Sequence, residues 1–273
     1  MTADSLDAAG THDIQRKQQF AEELAAEAAE LAVTYFKRSR GLRIESKNPR
    51  DFVSEADRNV EDMIRQRIGT QYPDDDIVGE EGGGVETDAY WCLDPIDGTS
   101  NFLAGIPFWG VSIGYCVNRL PVVGAICIPL LDILVSANSA TPGIRYNRSE
   151  KSEFQQSAIP SVVLGQSPYW GTPSFRQAQD IFLNADLDCM NLRCSVVGTA
   201  FAALGMTQGY YEEQTNMWDV AAGYVVAKQA GLHASIRRNA INSKLTFSVL
   251  NPNVFEQIGA QLAERKLEPA AMQ

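Results

Sequence analysis

In the stretch Trp91-Cys92-Leu93-Asp94-Pro95-Ile96-Asp97-Gly98-Thr99-Ser100-Asn101-Phe102, two carboxylates stand three residues apart and lead directly into a glycine, two hydroxyls and an amide. Carboxylates gather hard divalent cations. Hydroxyls and free backbone N–H groups at the start of a helix hold anions, phosphate among them. Side by side, the two sets suit metal-assisted transfer of a phosphate group. Pro95 has no N–H for a sheet ladder and turns Asp94 away from helix, so an apolar strand over 91–93 is expected to end here, with a helix starting near Gly98. A strand, an Asp-rich turn and a capped helix account equally well for these residue types taken alone.

The remaining acids allow the same two accounts. Ser54 and Asp57 have the spacing of a capping pair at the head of a helix. Glu80 and Glu81 lie among glycines in Gly79-Glu80-Glu81-Gly82-Gly83-Gly84, a composition ordinary for a solvated loop. Asp219, in Trp218-Asp219-Val220-Ala221-Ala222-Gly223, opens an apolar helix where capping and the helix dipole alone favour an acid. Tyr210-Tyr211-Glu212 reads as a strand, and whether Glu212 or Glu213 faces a pocket is open at this level.

The chain has 273 residues, enough for one large domain or two packed halves around a substantial core. A net charge of -11 argues against nucleic-acid binding through a basic surface. It tolerates phosphorylated ligands only if bound cations reverse the local sign. Five cysteines with no Cys-x-x-Cys pair predict free thiols in a reducing compartment. Only two histidines are present, too few for an imidazole-based triad or zinc centre, so the chemistry rests on carboxylates and hydroxyls. No signal-like N-terminus is visible, and the most apolar region, Val111 to Ala137, is broken by Asn118, Arg119, Pro121, Pro129 and Asp132. A cytoplasmic protein without a membrane span is expected.

The expected elements are a disordered tail over 1–13, an amphipathic helix over 14–38 with Phe20, Leu24, Ala28, Leu31 and Tyr35 on one face, and a helix from Ser54 ended by Gly69 and Pro73. A short strand at Ile77-Val78 follows. Val111–Cys116, Val122–Ile128 and Ile133–Val135 predict an antiparallel meander turned at Asn118-Arg119. Residues 141–156 read as irregular. Then come a strand over 161–164, a helix near 175–183, a helix of small residues over 200–207, a helix from Asp219 to about Gln229, a strand over 245–250 and a helix over 252–264.

Asp94-Pro95-Ile96-Asp97-Gly98-Thr99-Ser100-Asn101-Phe102 resembles the signature of the inositol monophosphatase family, the Mg²⁺-dependent, lithium-sensitive phosphatases of inositol and sugar phosphates. Trp218-Asp219-Val220-Ala221-Ala222-Gly223 resembles its second signature, and the segment from Lys47 to Asp57 and Gly79-Glu80-Glu81 match looser ones. The haloacid dehalogenase phosphatases also place acids after an apolar strand, but two apart, against three here. The resemblance spans roughly residues 18–264. It implies an α/β fold layered as an α-β-α-β-α sandwich, one domain over 14–273, with 14–150 carrying most metal ligands and 151–273 completing the substrate site.

By position, the resemblance implies metal binding by Glu80, Asp94, Asp97, Asp219 and the carbonyl of Ile96, with two or three Mg²⁺ ions and Mn²⁺ as a substitute. It implies catalysis by Glu80, Thr99 and Asp57, which would orient and deprotonate an attacking water. Substrate contacts are implied for Ile96, Asp97, Gly98, Thr99, Gly198, Thr199, Ala200, Glu212 and Asp219. Val196-Val197-Gly198-Thr199-Ala200 resembles the strand-to-helix turn that meets the substrate's ring. The implied activity is hydrolysis of a small polyol phosphate, inositol monophosphate first, by direct attack of water, in a homodimer. Histidinol phosphate, fructose 1,6-bisphosphate and 3'-phosphoadenosine 5'-phosphate are alternatives with the same metal core, and a regulatory interaction protein of the same fold is the alternative of another class. Residues 141–148, and Gly231-Leu232 after the last signature, depart from the family pattern.

Overall fold

The computed structural model describes residues 8–38, 44–48, 51–151, 155–240 and 242–265. The expectations for residues 1–7, and for Pro49 and Arg50 within the segment from Lys47 to Asp57, lie outside these. Helix α1 (Ala8–Phe36) starts six residues before the expected 14, so residues 8–13, expected as tail, are helical. Its packed seam is rich in small residues, with Ala21, Leu24, Ala25, Ala28 and Ala32 fully buried, which lets it lie close on a sheet.

Strands β1 (Ile44–Asn48) and β2 (Asp51–Ser54) pair as a small ribbon, and Ser54 caps α2 (Glu55–Gln71). Gly69 stays inside α2, which continues to Gln71 rather than ending at the glycine. Next come β3 (Asp76–Gly79), β4 (Ala89–Asp97), α3 (Thr99–Ala104), β5 (Gly110–Val117), β6 (Leu120–Ile128) and β7 (Ile133–Asn138). The segment expected to be irregular is instead a hairpin, β8 (Thr141–Tyr146) and β9 (Ser149–Lys151), that extends the sheet. The turn at Asn118-Arg119 forms as expected, with φ of 51° and 62° at those two residues. The second half carries β10 (Ser161–Leu164), α4 (Thr172–Leu183), β11 (Asp188–Met190), α5 (Ser195–Ala203), β12 (Gly209–Thr215), α6 (Met217–Gln229), β13 (His233–Arg238), β14 (Leu245–Leu250) and α7 (Pro252–Glu264).

Two large sheets result, one of seven strands in the order β3-β4-β5-β6-β7-β8-β9 and one of five in the order β11-β10-β12-β14-β13. Helices α1 and α2 cover the outer face of the first sheet, burying Leu24, Val60, Ile64 and Ile68 against Trp91, Leu93 and Ile113. Helices α5 and α6 fill the space between the sheets. Helices α4 and α7 close the far face of the second sheet through Phe182, Val254, Ile258 and Leu262 on Val162, Leu164 and Tyr211. The order is α-β-α-β-α. All five cysteines are free, four of them buried. Among the described residues, no helix is long and apolar enough to cross a membrane.

Candidate active site

The expected strand end at Pro95 is replaced by something more useful. Strand β4 continues to Asp97, but its register against β5 slips: Asp94 pairs with Ser112 and Asp97 with Gly110. Three residues of β4 therefore oppose two of β5. In a regular strand, residues three apart point to opposite faces. The extra residue is a β-bulge, which restores Asp94 and Asp97 to the same side. Pro95 sits inside the bulge, where the irregular ladder accommodates its missing N–H.

Strand β3 runs parallel to β4 with Gly79 opposite Leu93, and Glu80 N donates to Leu93 O at 3.2 Å, which sets Glu80 beside Asp94. Asp219 arrives from the first turn of α6. One carboxylate oxygen from each of Glu80, Asp94 and Asp219 lies within 4.8 Å of the others. Asp94 is buried, and its carboxyl is held well above the ordinary range by burial and then by Glu80, Asp97, Asp219 and Asp57. Burial and the nearby Asp219 charge push Asp97 up to about 6. Asp219 is raised by burial too, though hydrogen bonds and Lys244 oppose the shift. Like charges packed this closely out of water need a cation to be stable as anions. All the donors are oxygens, so the residues fit Mg²⁺ or Mn²⁺ and disfavour zinc.

Asp57 reconciles its two sequence readings. Its Oδ2 accepts from Ser54 N (2.8 Å) and Ser54 Oγ (2.6 Å) as half of a capping box, while its Oδ1 accepts from Thr99 Oγ1 at 3.2 Å. Thr99 Oγ1 also lies 3.1 Å from Ile96 O. Burial raises the Asp57 carboxyl above its usual range despite these bonds. Asp219 is likewise half of a capping box. Its Oδ2 accepts from Thr215 Oγ1 (2.6 Å), Asn216 N (2.9 Å) and Asn216 Nδ2 (3.2 Å). Asp97 is tied to the head of α5, where its Oδ2 accepts from Val196 N at 2.6 Å and lies 2.9 Å from Ser195 Oγ. The three-carboxylate cluster does not include it.

A cavity of about 390 Å³ opens over this cluster. Of the residues singled out in the sequence, Glu80, Asp94, Ile96, Asp97, Gly98, Thr99, Glu212 and Asp219 line it, and Asp57 does not. Gly98 has φ of 90°, and a Cβ there would sit 2.9 Å from Phe108 O, so the turn into α3 requires glycine. Glu212 faces the cavity, with Tyr210 Oη donating to its Oε2 at 2.7 Å, and burial followed by the Asp219 charge pushes it up to about 8. Its neighbour Glu213 turns away into a buried ion pair with Arg265 at 2.6 Å. That settles which of the two adjacent glutamates reaches the pocket.

Gly198, Thr199 and Ala200 do not line the cavity. Helix α5 begins at Ser195 rather than at 200, so Val196 and Val197 are its first turn and not a strand. Gly198 is a packing residue: a Cβ there would come within 2.4 Å of the Tyr210 ring. The cavity is met instead by the residues just before and at the start of α5, Arg193, Cys194 and Ser195. Sequence reading also missed Gln166, Tyr169, Asn216 and Lys244 on the rim. Asn216 had a usable signal, the Asn-x-x-Asp spacing of a capping box. The others come from loops of ordinary composition.

A family profile described as the inositol monophosphatase family matches residues 13–265. The chain belongs to this family. It is 34% identical to inositol monophosphatase 1 of Saccharomyces cerevisiae over 66% of this chain and 68% of the relative. It is 33% identical to a histidinol-phosphatase of Chlorobaculum parvum over 78% of this chain and 83% of the relative. Among solved structures, the extragenic suppressor protein SuhB of Bartonella henselae superposes with a TM-score of 0.78 at 24% identity, covering 89% of this chain and 97% of that one. That likeness speaks for the fold. Both sequence relatives are named as phosphatases.

Proposed function

We propose that this chain is a Mg²⁺-dependent phosphomonoesterase acting on a small polyol phosphate, with inositol monophosphate as its reference substrate and Mn²⁺ as a substitute cation. The observation that carries the reading is the meeting of Glu80, Asp94 and Asp219 from three separate elements under one cavity. Glu80, Asp94, Asp219 and the carbonyl of Ile96 would hold the cations, with Asp97 at their edge on the bulge. When bound, such ions act as Lewis acids and stabilise the oxygens of an in-line displacement.

The rest is done by the chain's own groups. Thr99 Oγ1 gives its proton to Asp57 or to Ile96 O, which leaves its lone pairs to accept from an attacking water and so to aim it. The Asp57 carboxylate, made more basic by burial, takes up the water's proton through this hydroxyl. Gly98, Thr99 and Ser100 sit at the head of α3, where backbone N–H groups have no partner within the helix and so can hold phosphate oxygens. Glu212, facing the cavity, hydrogen-bonds hydroxyls of the alcohol. No aspartyl phosphate is needed. The reading carries with it the expectation of a homodimer in the cytoplasm.

The test is release of inorganic phosphate from a panel of inositol 1-phosphate, histidinol phosphate and 3'-phosphoadenosine 5'-phosphate, with Mg²⁺ and with chelator. Cation-dependent release, strongest on the polyol ester, is expected. Rapid turnover in chelator-stripped buffer would overturn the mechanism, and equal rates on all esters would overturn the preference for a polyol.

A further inference from the structure

Helix α2 carries Asp57, Glu61 and Arg65 at four-residue steps, which places the three along one face. Asp57, at the head of the helix, meets Thr99. One turn on, Glu61 is only 1% exposed, yet it is neither in the three-carboxylate cluster nor on the cavity wall. A buried carboxylate outside the reacting centre needs partners of its own.

Those partners are the turn that carries Glu80. Glu61 Oε2 accepts from Glu81 N and Glu61 Oε1 from Gly82 N, each at 2.8 Å, and Arg65 Nε donates to Oε1 at 2.7 Å. Arg65 Nη2 reaches on to Gly83 O at 2.7 Å. The turn itself is closed by Gly79 and Gly83, whose N–H groups donate to each other's carbonyls at 3.0 and 3.1 Å. Glu80 is the first residue inside it. Its own N–H goes to Leu93 O and the next two go to Glu61, so the backbone around Glu80 is tied to β4 on one side and to α2 on the other. The fit is close: a Cβ on Gly79 would lie 2.4 Å from Glu61 Oε1, and one on Gly82 2.8 Å from Arg65 Cζ. Gly82, Gly83 and Gly84 at the tip are exposed, and glycines lose the most freedom on ordering, so the turn depends on these ties for a single conformation.

We propose that Glu61 and Arg65 are positioning residues: they hold the Glu80 turn rigid, so that its carboxylate stands beside Asp94 and Asp219 before a cation arrives, and the cation affinity of the cluster depends on them. This rests on the cation-binding part of the phosphomonoesterase reading and adds the groups that prepare the site. An anion accepting from two successive amides holds them more strongly than a neutral acceptor does. Groups that orient a ligand without touching the ion govern affinity by about tenfold to a hundredfold. Through Asp57 and Glu61, one helix then sets both the water-orienting group and a cation ligand.

The experiment titrates Mn²⁺ into the metal-free full chain, without any ester, and follows the electron paramagnetic resonance of free Mn²⁺. In Glu61→Gln the size of the side chain is kept while its charge is lost, and the tightest Mn²⁺ site is expected to weaken by about tenfold or more. Deuterium exchange at the amides of residues 79–84 is expected to quicken, with α2 and β4 unchanged. Arg65→Met separates positioning from a simple field effect. Removing a nearby positive charge strengthens cation binding by Coulomb's law, whereas loosening the turn weakens it, and weaker binding is expected. Tighter or unchanged Mn²⁺ binding in Arg65→Met, or exchange of the turn in Glu61→Gln that matches the parent, overturns the proposal. If Glu61→Gln does not fold, the sign of the change in Arg65→Met decides alone. A parent protein without a Mn²⁺ site overturns the cation reading and the clamp with it, while Mn²⁺ binding without cleavage of any ester in the earlier panel overturns the phosphatase reading alone.

Discussion

Chelating divalent cations and moving the pH from 8 to 6 isolates the electrostatic stress stored under the cavity. Glu212 is displaced from an ordinary 4.5 to about 8 and Asp97 from 3.8 to about 6, and Asp57, Asp94 and Asp219 shift in the same direction. A carboxyl whose pKa is raised by folding binds more protons in the folded state than in the unfolded one between its two pKa values. Its contribution is therefore most favourable at low pH and is lost as pH rises toward the folded value. For Glu212 and Asp97 together, acidification from pH 8 to 6 returns about 2 to 3 kcal/mol to the metal-free protein. For a chain of this size that is roughly 5 °C in Tm.

Thermal melts followed by circular dichroism at pH 8, 7 and 6 in chelator, then in excess Mg²⁺, give the measurement. Tm of the metal-free protein is expected to rise as pH falls, and the Mg²⁺-induced increment is expected to be larger at pH 8, where protons do not compete for the same oxygens. Glu212→Gln is expected to remove most of the metal-free pH dependence. A metal-free Tm that is flat or falls on acidification, or Mg²⁺ increments independent of pH, would refute the reasoning.

Three further substitutions separate chemistry from packing. Asp57→Asn is expected to lower kcat by about a hundredfold or more with KM changed only a few-fold, because proton uptake is lost while the phosphate and alcohol contacts stay; steady-state kinetics at saturating Mg²⁺ check it. Gly198→Ala forces a Cβ against the buried Tyr210 ring and is expected to cost about 1 to 3 kcal/mol in denaturant unfolding. Glu213→Ala strands the nearly buried Arg265 guanidinium and is expected to destabilise the fold by about 3 kcal/mol with KM unchanged, whereas Glu212→Gln is expected to raise KM. Equal effects of the two glutamate substitutions on KM would contradict the assigned facing.

Helix periodicity and strand alternation by themselves give a mixed α and β chain, and the layered fold and the meeting of Glu80, Asp94 and Asp219 are legible only through the family resemblance, carried by two short signatures and the looser match at Gly79-Glu80-Glu81. What is illegible there depends on register and on packing across elements. Nothing in Asp94-Pro95-Ile96-Asp97 announces a bulge; the proline suggests an end, and only pairing with β5 shows that the strand goes on with an added residue. Gly198, Thr199 and Ala200 mislead because small residues serve equally at a ligand and at a close helix–sheet contact, and here Tyr210 claims the space. Arg193 and Lys244 come from loops brought together by strand order, which no window of sequence contains.

The capping and functional readings of Asp57 and Asp219 compete in the sequence, and the geometry removes the rivalry. A carboxylate has two oxygens. In Asp57 one oxygen completes the cap of α2 and the other meets Thr99; in Asp219 one oxygen completes the cap of α6 while the group joins Glu80 and Asp94. The cap fixes the side chain's torsions before any ligand arrives, so little ordering cost is left to binding. Asp97 is fixed in a similar way at the head of α5, by the Val196 amide and the Ser195 hydroxyl. Helix starts thus supply the rigidity on which a cluster of mutually repelling acids depends, and the same acids that strain the metal-free fold are the ones the helices hold still.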